Sequence, residues 1–471
     1  MRIKSTDPHL MNITKERFAV SQVRNGLSEF SIVILVGLSG TGKTIALLQL
    51  ASEYENAEYL DCGDEKYTTK LHELQWSNLN NYDGLLLLDN FHLLDAHADW
   101  LLYTFTNVIE DNKKFKVVIS SSVVPYIIDL SRMKMRGENK LIYMSSLTYL
   151  EYLFFTDRIL SYNVNLSQIN YKNSFGDYTK LKPCRDLPGI PTFDSNYVAS
   201  IVSNITEAKK GAHSVTSFLG FTKEDIKRAL LLLILIGVRD CQTISDNFSV
   251  CEAARTNMTN KQICEALKYL LWTGLVLCTC IKRSIDERIN TSTLAAIMIN
   301  HTISDNELSC LFGKCIQLYV TNPIIYSLIS EELWEVLISY LPNEVKLFQK
   351  VKYSAADWIE NYLRGSFARR CPIPLRTTSF QNLHRRELGA WHEDFENLFI
   401  DFSLMNKEKT VDDLNFHLVY TGKETCILTT NKIFDKVIWN DIPICRIPYS
   451  MLAAYLDRGE VPKEDLFKIL V

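Results

Sequence analysis

Short apolar runs alternate with amphipathic helical patterns along the first 145 residues of the chain. The apolar runs predict strands at residues 31–36, 57–60, 84–88 and 115–120. The 3.6-residue patterns predict helices at residues 16–27, 44–51 and about 100–110. Because short apolar strands separated by helices form parallel sheets covered on both faces, the predicted fold class is α/β, a three-layer αβα core around a parallel sheet.

The pattern changes after residue 145. It becomes helical and then irregular, with a proline-rich loop at residues 183–191. From residue 222 the pattern predicts helix, short helix, turn, helix and strand, which is the order of a winged helix-turn-helix. The last hundred residues return to strand alternation and end in a helix at residues 449–456, which predicts a small mixed α/β domain. The predicted domains are a core at 1–145, a helical lid and linker at 146–221, a winged helix at 222–285, a helical region at 286–365 and the α/β domain at 366–471.

Composition excludes several classes of protein. With 47% apolar and 23% charged residues, the chain is typical of globular proteins, and a net charge of −4 gives it no overall attraction to nucleic acid or anionic membrane. No apolar run approaches the roughly 20 residues that span a bilayer, and the N-terminus does not resemble a signal peptide, so we expect a cytoplasmic protein. The 12 cysteines include no C-x-x-C pair, which favours free buried thiols over disulfides or zinc.

Residues 37–44 read GLSGTGKT and fit the P-loop pattern G-x-x-x-x-G-K-[ST] at every fixed position. The segment follows a predicted strand and opens a predicted helix, as a P-loop requires. Glycines let backbone N–H groups surround phosphate, Lys43 would reach the β- and γ-phosphates, and the hydroxyl of Thr44 would bind Mg²⁺. We therefore expect ATP and Mg²⁺ to bind here. The predicted nucleotide-binding residues are Gly37, Leu38, Ser39, Gly40, Thr41, Gly42, Lys43 and Thr44.

A polar residue follows each of two later apolar strands. Asp89 comes directly after the run LLLL and is predicted to hold Mg²⁺ together with Thr44, although a strand-terminal Asp also caps turns. The strand KVVISSS ends in three hydroxyls, of which Ser122 is predicted to touch the γ-phosphate or the attacking water; the alternative is bonding to the local backbone. The predicted catalytic group is Lys43, Asp89, Asn90 and Ser122. Arg132 and Arg136 follow as candidates for phosphate contacts or as surface residues.

The order of these segments resembles the bacterial and archaeal AAA-like ATPases, which carry a winged helix and a restriction-nuclease-like C-terminal domain. The resemblance rests on GLSGTGKT, LLLLDNFH, KVVISSS and SLTYLEYL, the last at residues 146–153, and more loosely on KYLLWTGLV and the C-terminal strands. It implies an ATPase core at residues 1–145 and a nuclease-like domain at residues 366–471.

The chain departs from the family pattern at residues that bear on catalysis. Asn90 stands where the family usually has a Glu that polarises water. Ser120 and Ser121 lie in the strand that usually reads T-G-S-S. Glu138 follows the Arg-Gly pair at residues 136–137, where the family often has an Arg. An amide orients water but does not accept its proton, so hydrolysis is expected to be slow unless Asp95 or Asp99 substitutes.

A nuclease centre needs an Asp on one strand and Glu-x-Lys on the next. Asp401 offers the first, but the next predicted strand offers Asn415, Phe416 and His417, so an inactive domain is predicted.

Three functions are consistent with these patterns. The first is an ATP-dependent switch with slow or no hydrolysis. The second is a DNA-associated ATPase that uses the helix at residues 261–269 of the winged helix, for which packing inside the chain is the alternative. The third is a non-catalytic scaffold that holds ATP as a structural ligand. The basic group at residues 384–386 is predicted to be solvated surface.

Overall fold

The computed structural model divides the chain into two compact units, residues 1–162 with 181–226 and residues 163–180 with 227–471. The structure describes residues 15–37, 41–64, 82–94, 96–121, 139–144, 147–179, 223–241, 258–272, 276–281, 316–320, 359–360, 362–363, 366, 376–379, 387–391, 398–401, 425–439 and 442–458.

The first unit is built around a parallel sheet of five described strands in the order β2-β3-β4-β1-β5. The strands are β1 (Ile32–Val36), β2 (Ala57–Asp61), β3 (Leu85–Asp89), β4 (Lys116–Ser121) and β5 (Asn139–Tyr143). The helices are α1 (Phe18–Glu29), α2 (Lys43–Glu53), α3 (Ala96–Asp111) and α4 (Tyr149–Phe155), and a short 3-10 helix, Phe91–Leu94, follows β3. The predicted parallel sheet with flanking helices is confirmed.

Two hydrophobic clusters cover the two faces of this sheet. Ile32, Ile34 and Val36 of β1 pack in one cluster with residues of α3, whereas Val33 and Leu35 pack in the other with residues of α1 and α2. Because successive strand residues point to opposite faces, burial of both faces requires every position of β1 to be apolar. This explains the continuous apolar runs in the sequence.

Strand β5 was not predicted from the sequence. It pairs in parallel with β1, from Ile32 opposite Asn139 to Val36 opposite Tyr143. Its sequence NKLIY is short and partly polar, as expected for the strand at an edge of the described sheet. The backbone of Met144, just beyond it, continues the pairing by donating to the carbonyl of Val36 at 2.7 Å.

The second unit contains a mixed sheet, which confirms the predicted mixed α/β character of the C-terminal region. Its described strands run in the order β12-β13-β11-β10-β9-β8-β6-β7. They are β6 (Val276–Ile281), β7 (Ile316–Val320), β8 (Arg376–Ser379), β9 (Glu387–Trp391), β10 (Leu398–Asp401), β11 (Thr425–Thr430), β12 (Asp435–Trp439) and β13 (Ile442–Pro448). Asp401 lies at the end of β10, in register with Leu428 of β11.

The remaining described helices are a 3-10 helix, Leu166–Gln168, and the α-helices α5 (Ser174–Thr179), α6 (Lys223–Cys241), α7 (Asn260–Trp272) and α8 (Tyr449–Arg458). Helices α6 and α7 and strand β6 occur in the order expected for a winged helix, and that assignment stays a prediction, as do the five domain boundaries. The predicted short helix between α6 and α7, residues 384–386 and residues 415–417 lie outside the described part. None of the described helices is both long and apolar enough to cross a membrane.

Candidate functional site

The chain leaves the central strand β1 through Gly37, whose position admits no side chain. The amide of Gly37 donates to the carbonyl of Ser121, the last residue of β4, at 3.2 Å. A Cβ atom on Gly37 would lie 2.1 Å from the backbone oxygen of Met144. The close approach of neighbouring strand ends therefore requires glycine at this position.

Gly42 ends the loop in a left-handed conformation, with φ of 92°, and forms the N-cap of α2. Glycine adopts this conformation without the steric cost that a Cβ atom brings. The carbonyl of Gly42 accepts the amide of Ala46 at 3.0 Å, so α2 begins directly at Lys43. The first amides of a helix have no partner within it, and together with the helix dipole they form a site suited to anions.

Lys43 is a buried cation at the start of α2, with a side chain that turns back towards the loop. It is 5% exposed, and its Nζ atom donates to the carbonyl of Gly37 at 2.9 Å. Burial lowers the pKa of Lys43 to about 8, against the opposing effect of the Asp89 charge. A further anion beside this amine would favour its charged form and raise the pKa of Lys43 again.

Asp89 lies at the end of β3, fully buried among hydroxyl donors. Its Oδ2 atom accepts the hydroxyls of Thr44 at 2.6 Å and Tyr59 at 3.0 Å, and its Oδ1 atom accepts the hydroxyl of Ser120. Burial and the charge of Asp89 raise the pKa of Tyr59, which keeps the phenol a donor. Carboxylate and hydroxyl oxygens are the ligand types that Mg²⁺ prefers, so the donor set fits this metal.

Asn90 has a left-handed backbone, with φ of 53°, which Asn tolerates better than most residues. Its backbone N–H donates to Oδ1 of Asp89 at 3.1 Å and to the hydroxyl of Ser120 at 3.2 Å. Its side-chain amide donates to Oδ1 of Asp61 at 3.2 Å, an atom that also accepts the amide of Gly63 at 2.9 Å. The residue in the usual position of the water-polarising Glu is therefore paired with a carboxylate on the neighbouring strand.

A buried ion pair lies behind the loop. Arg17 donates through Nε and Nη2 to the two carboxylate oxygens of Glu151, at 2.7 and 2.8 Å, and through Nη1 to the carbonyl of Thr41 at 2.7 Å. Glu151 also accepts the backbone amides of Phe18 and Thr148, each at 2.9 Å. Glu151 belongs to the SLTYLEYL segment, and these contacts join that segment to the P-loop.

The structure brings together most of the residues that the sequence predicts for the site. The described ones lie at the carboxyl ends of β1 and β3, in the loop between β1 and α2, or at the start of α2: Gly37, Thr41, Gly42, Lys43, Thr44, Asp89 and Asn90. The remaining candidates lie outside the described residues or have side chains that do: Leu38, Ser39, Gly40, Asp95, Asp99, Ser122, Arg132 and Arg136.

Sequence reasoning missed the contributions of Arg17, Tyr59 and Asp61. Asp61 carries the one local signal among them, since it is an acidic residue at the end of a strand in a parallel sheet, where ligands bind. Tyr59 and Arg17 give no such signal, because their partners are distant in the sequence.

The parallel order of the sheet, the helix that begins at the P-loop and the Thr44–Asp89 contact define a P-loop αβα domain. Residues 29–153 match a family model described as an AAA domain, so this part of the chain is an AAA-type P-loop domain. No curated protein is significantly similar in sequence.

Solved structures to which the chain is similar include a Walker-type ATPase of Pyrococcus abyssi, at 12% identity and a TM-score of 0.38, with 63% of this chain and 97% of that chain covered. AMPPCP-bound DnaA from Aquifex aeolicus has 15% identity and a TM-score of 0.26, with 53% and 81% covered. DNA-bound ORC of Drosophila has 12% identity and a TM-score of 0.25, with 67% and 94% covered. Because all three TM-scores are below 0.5, these likenesses assign no function.

Proposed function

We propose that this protein binds ATP with Mg²⁺ at the P-loop and uses the nucleotide as a conformational switch, with slow hydrolysis. The observation that carries the proposal is the position of Lys43, whose buried amine lies at the first turn of α2 and donates to the carbonyl of Gly37, the first residue of the loop. A polyphosphate bound at this point would contact both the charged amine and the first backbone amides of the helix, which favour anions.

Each group has a place in this proposal. Backbone amides of residues 37–44 would surround the phosphates, with Lys43 beside them. Thr44 and Asp89 would hold Mg²⁺, which supplies positive charge that neutralises the phosphates. Asp89 already accepts several hydroxyls, so metal binding must compete with the contacts from Tyr59 and Ser120. Those contacts link β3 to both neighbouring strands and offer a route from ligand binding to a change of structure.

Slow hydrolysis is supported by the surroundings of Asn90. Its side chain has no group that accepts a proton from water, and its amide is held by Asp61 at 3.2 Å. General-base assistance contributes about 10²–10⁴ in rate, so a site without it turns over slowly. A bound triphosphate that persists is what a switch requires.

Fluorescent mant-ATP titration tests nucleotide binding. We expect Lys43→Ala to weaken binding at least about tenfold, because it removes a charge that a buried phosphate needs. The matched control is Lys114→Ala, which removes an exposed lysine paired with Asp83. Both residues lie just before the amino ends of β4 and β3, at the end of the sheet opposite the P-loop. Equal affinity of Lys43→Ala and the unaltered protein would rule out the proposed site.

Steady-state phosphate release separates the switch from the scaffold function. A switch with slow hydrolysis releases phosphate measurably above background, and Lys43→Ala abolishes this release. A scaffold releases none, while ATP still raises the melting temperature through its preference for the folded state.

A further inference from the structure

Arg17 and Glu151 form a buried, bidentate ion pair that joins three parts of the first unit. Arg17 immediately precedes α1, and Glu151 lies in the first turn of α4. Their side chains are 10% and 2% exposed, and both donor–acceptor distances are below 3 Å. Paired Arg–carboxylate contacts of this kind fix orientation as well as position.

The third contact of Arg17 reaches into the P-loop. Its Nη1 atom donates to the carbonyl of Thr41 at 2.7 Å. In a trans peptide this carbonyl and the N–H of Gly42 lie in one plane and point in opposite directions. Holding the carbonyl therefore also fixes the direction of the Gly42 amide.

The peptide between Thr41 and Gly42 is the part of the described loop where such a restraint matters most. Gly42 has a φ of 92° and no Cβ atom, so rotation of this peptide meets little steric resistance. A rotated peptide would turn a carbonyl oxygen in the direction that its amide now occupies. Because phosphates are attracted by amides and repelled by carbonyls, rotation would weaken the loop's hold on an anion.

We propose that Arg17 and Glu151 are positioning residues that lock the Thr41–Gly42 peptide in its anion-binding orientation. The pair thereby couples the start of α4 to nucleotide affinity. This inference rests on the proposed nucleotide-binding function. By linkage, nucleotide binding must in turn stabilise the contacts of the pair.

The decisive variant is the double substitution Arg17→Met with Glu151→Gln. It removes both charges together, so that neither is left buried without a partner. Gln at position 151 can still complete the capping box that Glu151 now forms with Thr148. We expect mant-ATP affinity to fall at least about tenfold, because the Thr41 carbonyl loses its donor. Arg17→Lys, which keeps the charge but lacks the rigid fork, should lower affinity less and gives a second measurement if the double variant does not fold.

Thr148→Ala is the matched control. It removes the hydroxyl that caps α4 and that also donates to Oε2 of Glu151 at 3.2 Å, but it leaves both Arg17–Glu151 hydrogen bonds in place. It should lower the melting temperature and leave nucleotide affinity unchanged, which separates loss of stability from loss of loop position.

Hydrogen exchange provides a second readout. ATP should slow exchange of the Phe18 and Thr148 amides, both of which donate to Glu151. An unaltered protein that does not bind mant-ATP would overturn the proposed function itself. If the unaltered protein and the variants with a changed Arg17 bind equally, or if ATP leaves these amides unprotected, nucleotide binding survives and only the positioning role is refuted.

Discussion

The left-handed backbone at Asn90 gives a prediction about the substitution Asn90→Glu. Glutamate is the residue that AAA-like ATPases usually carry here, and yet the φ of 53° disfavours it. Side chains longer than Asn gain no local compensation in this conformation. The substitution should therefore lower stability while adding the carboxylate that the site lacks.

The expected magnitude follows from the contacts of Asn90. Placing an ordinary residue in the left-handed region costs about 1–2 kcal/mol. Losing the amide's hydrogen bond to the Asp61 carboxylate costs about 1 kcal/mol more, since that contact is only partly buried. The sum of about 2–3 kcal/mol corresponds to a decrease in Tm of roughly 5–10 °C for a unit of about 200 residues.

Asn90→Gly is the matched comparison, because glycine adopts the same φ without strain and lacks the side chain. It should lose about 1 kcal/mol, the hydrogen bond alone. Thermal unfolding of both variants, with and without ATP, measures the change in Tm that each substitution causes. Phosphate release should rise in Asn90→Glu, by up to about 10²–10⁴, where its carboxylate accepts a proton from water.

The comparison of the two variants can refute the backbone explanation. If Asn90→Gly loses as much stability as Asn90→Glu, the cost lies in the side-chain contact and not in the left-handed conformation. If Asn90→Glu unfolds at the temperature of the unaltered protein, neither explanation survives.

Other predictions concern the loop, the carboxylate and the ion pair. Gly37→Ala should destabilise the fold by about 1–3 kcal/mol, measured by denaturant unfolding, because its Cβ would lie 2.1 Å from the Met144 oxygen; an unchanged midpoint would contradict this. Tyr59→Phe should cost about 1–2 kcal/mol, since it removes a 3.0 Å donor from buried Asp89, and an unchanged unfolding free energy would argue against it. Burial alone would raise the pKa of Glu151, but the charge and hydrogen bonds of its arginine partner outweigh burial and lower it below 4.5. The contribution of the ion pair to the free energy of unfolding is therefore complete above about pH 4.5 and is lost as the pH falls through the folded-state pKa. The free energy of unfolding of Glu151→Gln should thus fall less with decreasing pH than that of the unaltered protein. An equal decrease in both proteins would refute this.

The core of the first unit and the P-loop can be predicted from the order of residues alone. Strands β1 and β3 are apolar at nearly every position, and β4 is apolar at 117–119, because both faces of the sheet are covered. The P-loop can be predicted in the same way, because its glycines, lysine and threonine lie within eight consecutive residues and each has a role that depends on local geometry. Asp89 belongs with them, since a polar residue after an apolar strand falls at the ligand-binding edge of a parallel sheet.

The side chains that meet behind and beside the loop cannot be predicted from local sequence. The Asn90–Asp61 contact joins residues 29 positions apart, and the Arg17–Glu151 pair joins residues 134 positions apart. Strand β5 likewise depends on its pairing with β1, because its own sequence is too short and mixed to indicate a strand. A local pattern reflects the burial of each position, whereas the partner of a charged or polar side chain depends on the packing of elements distant in the chain.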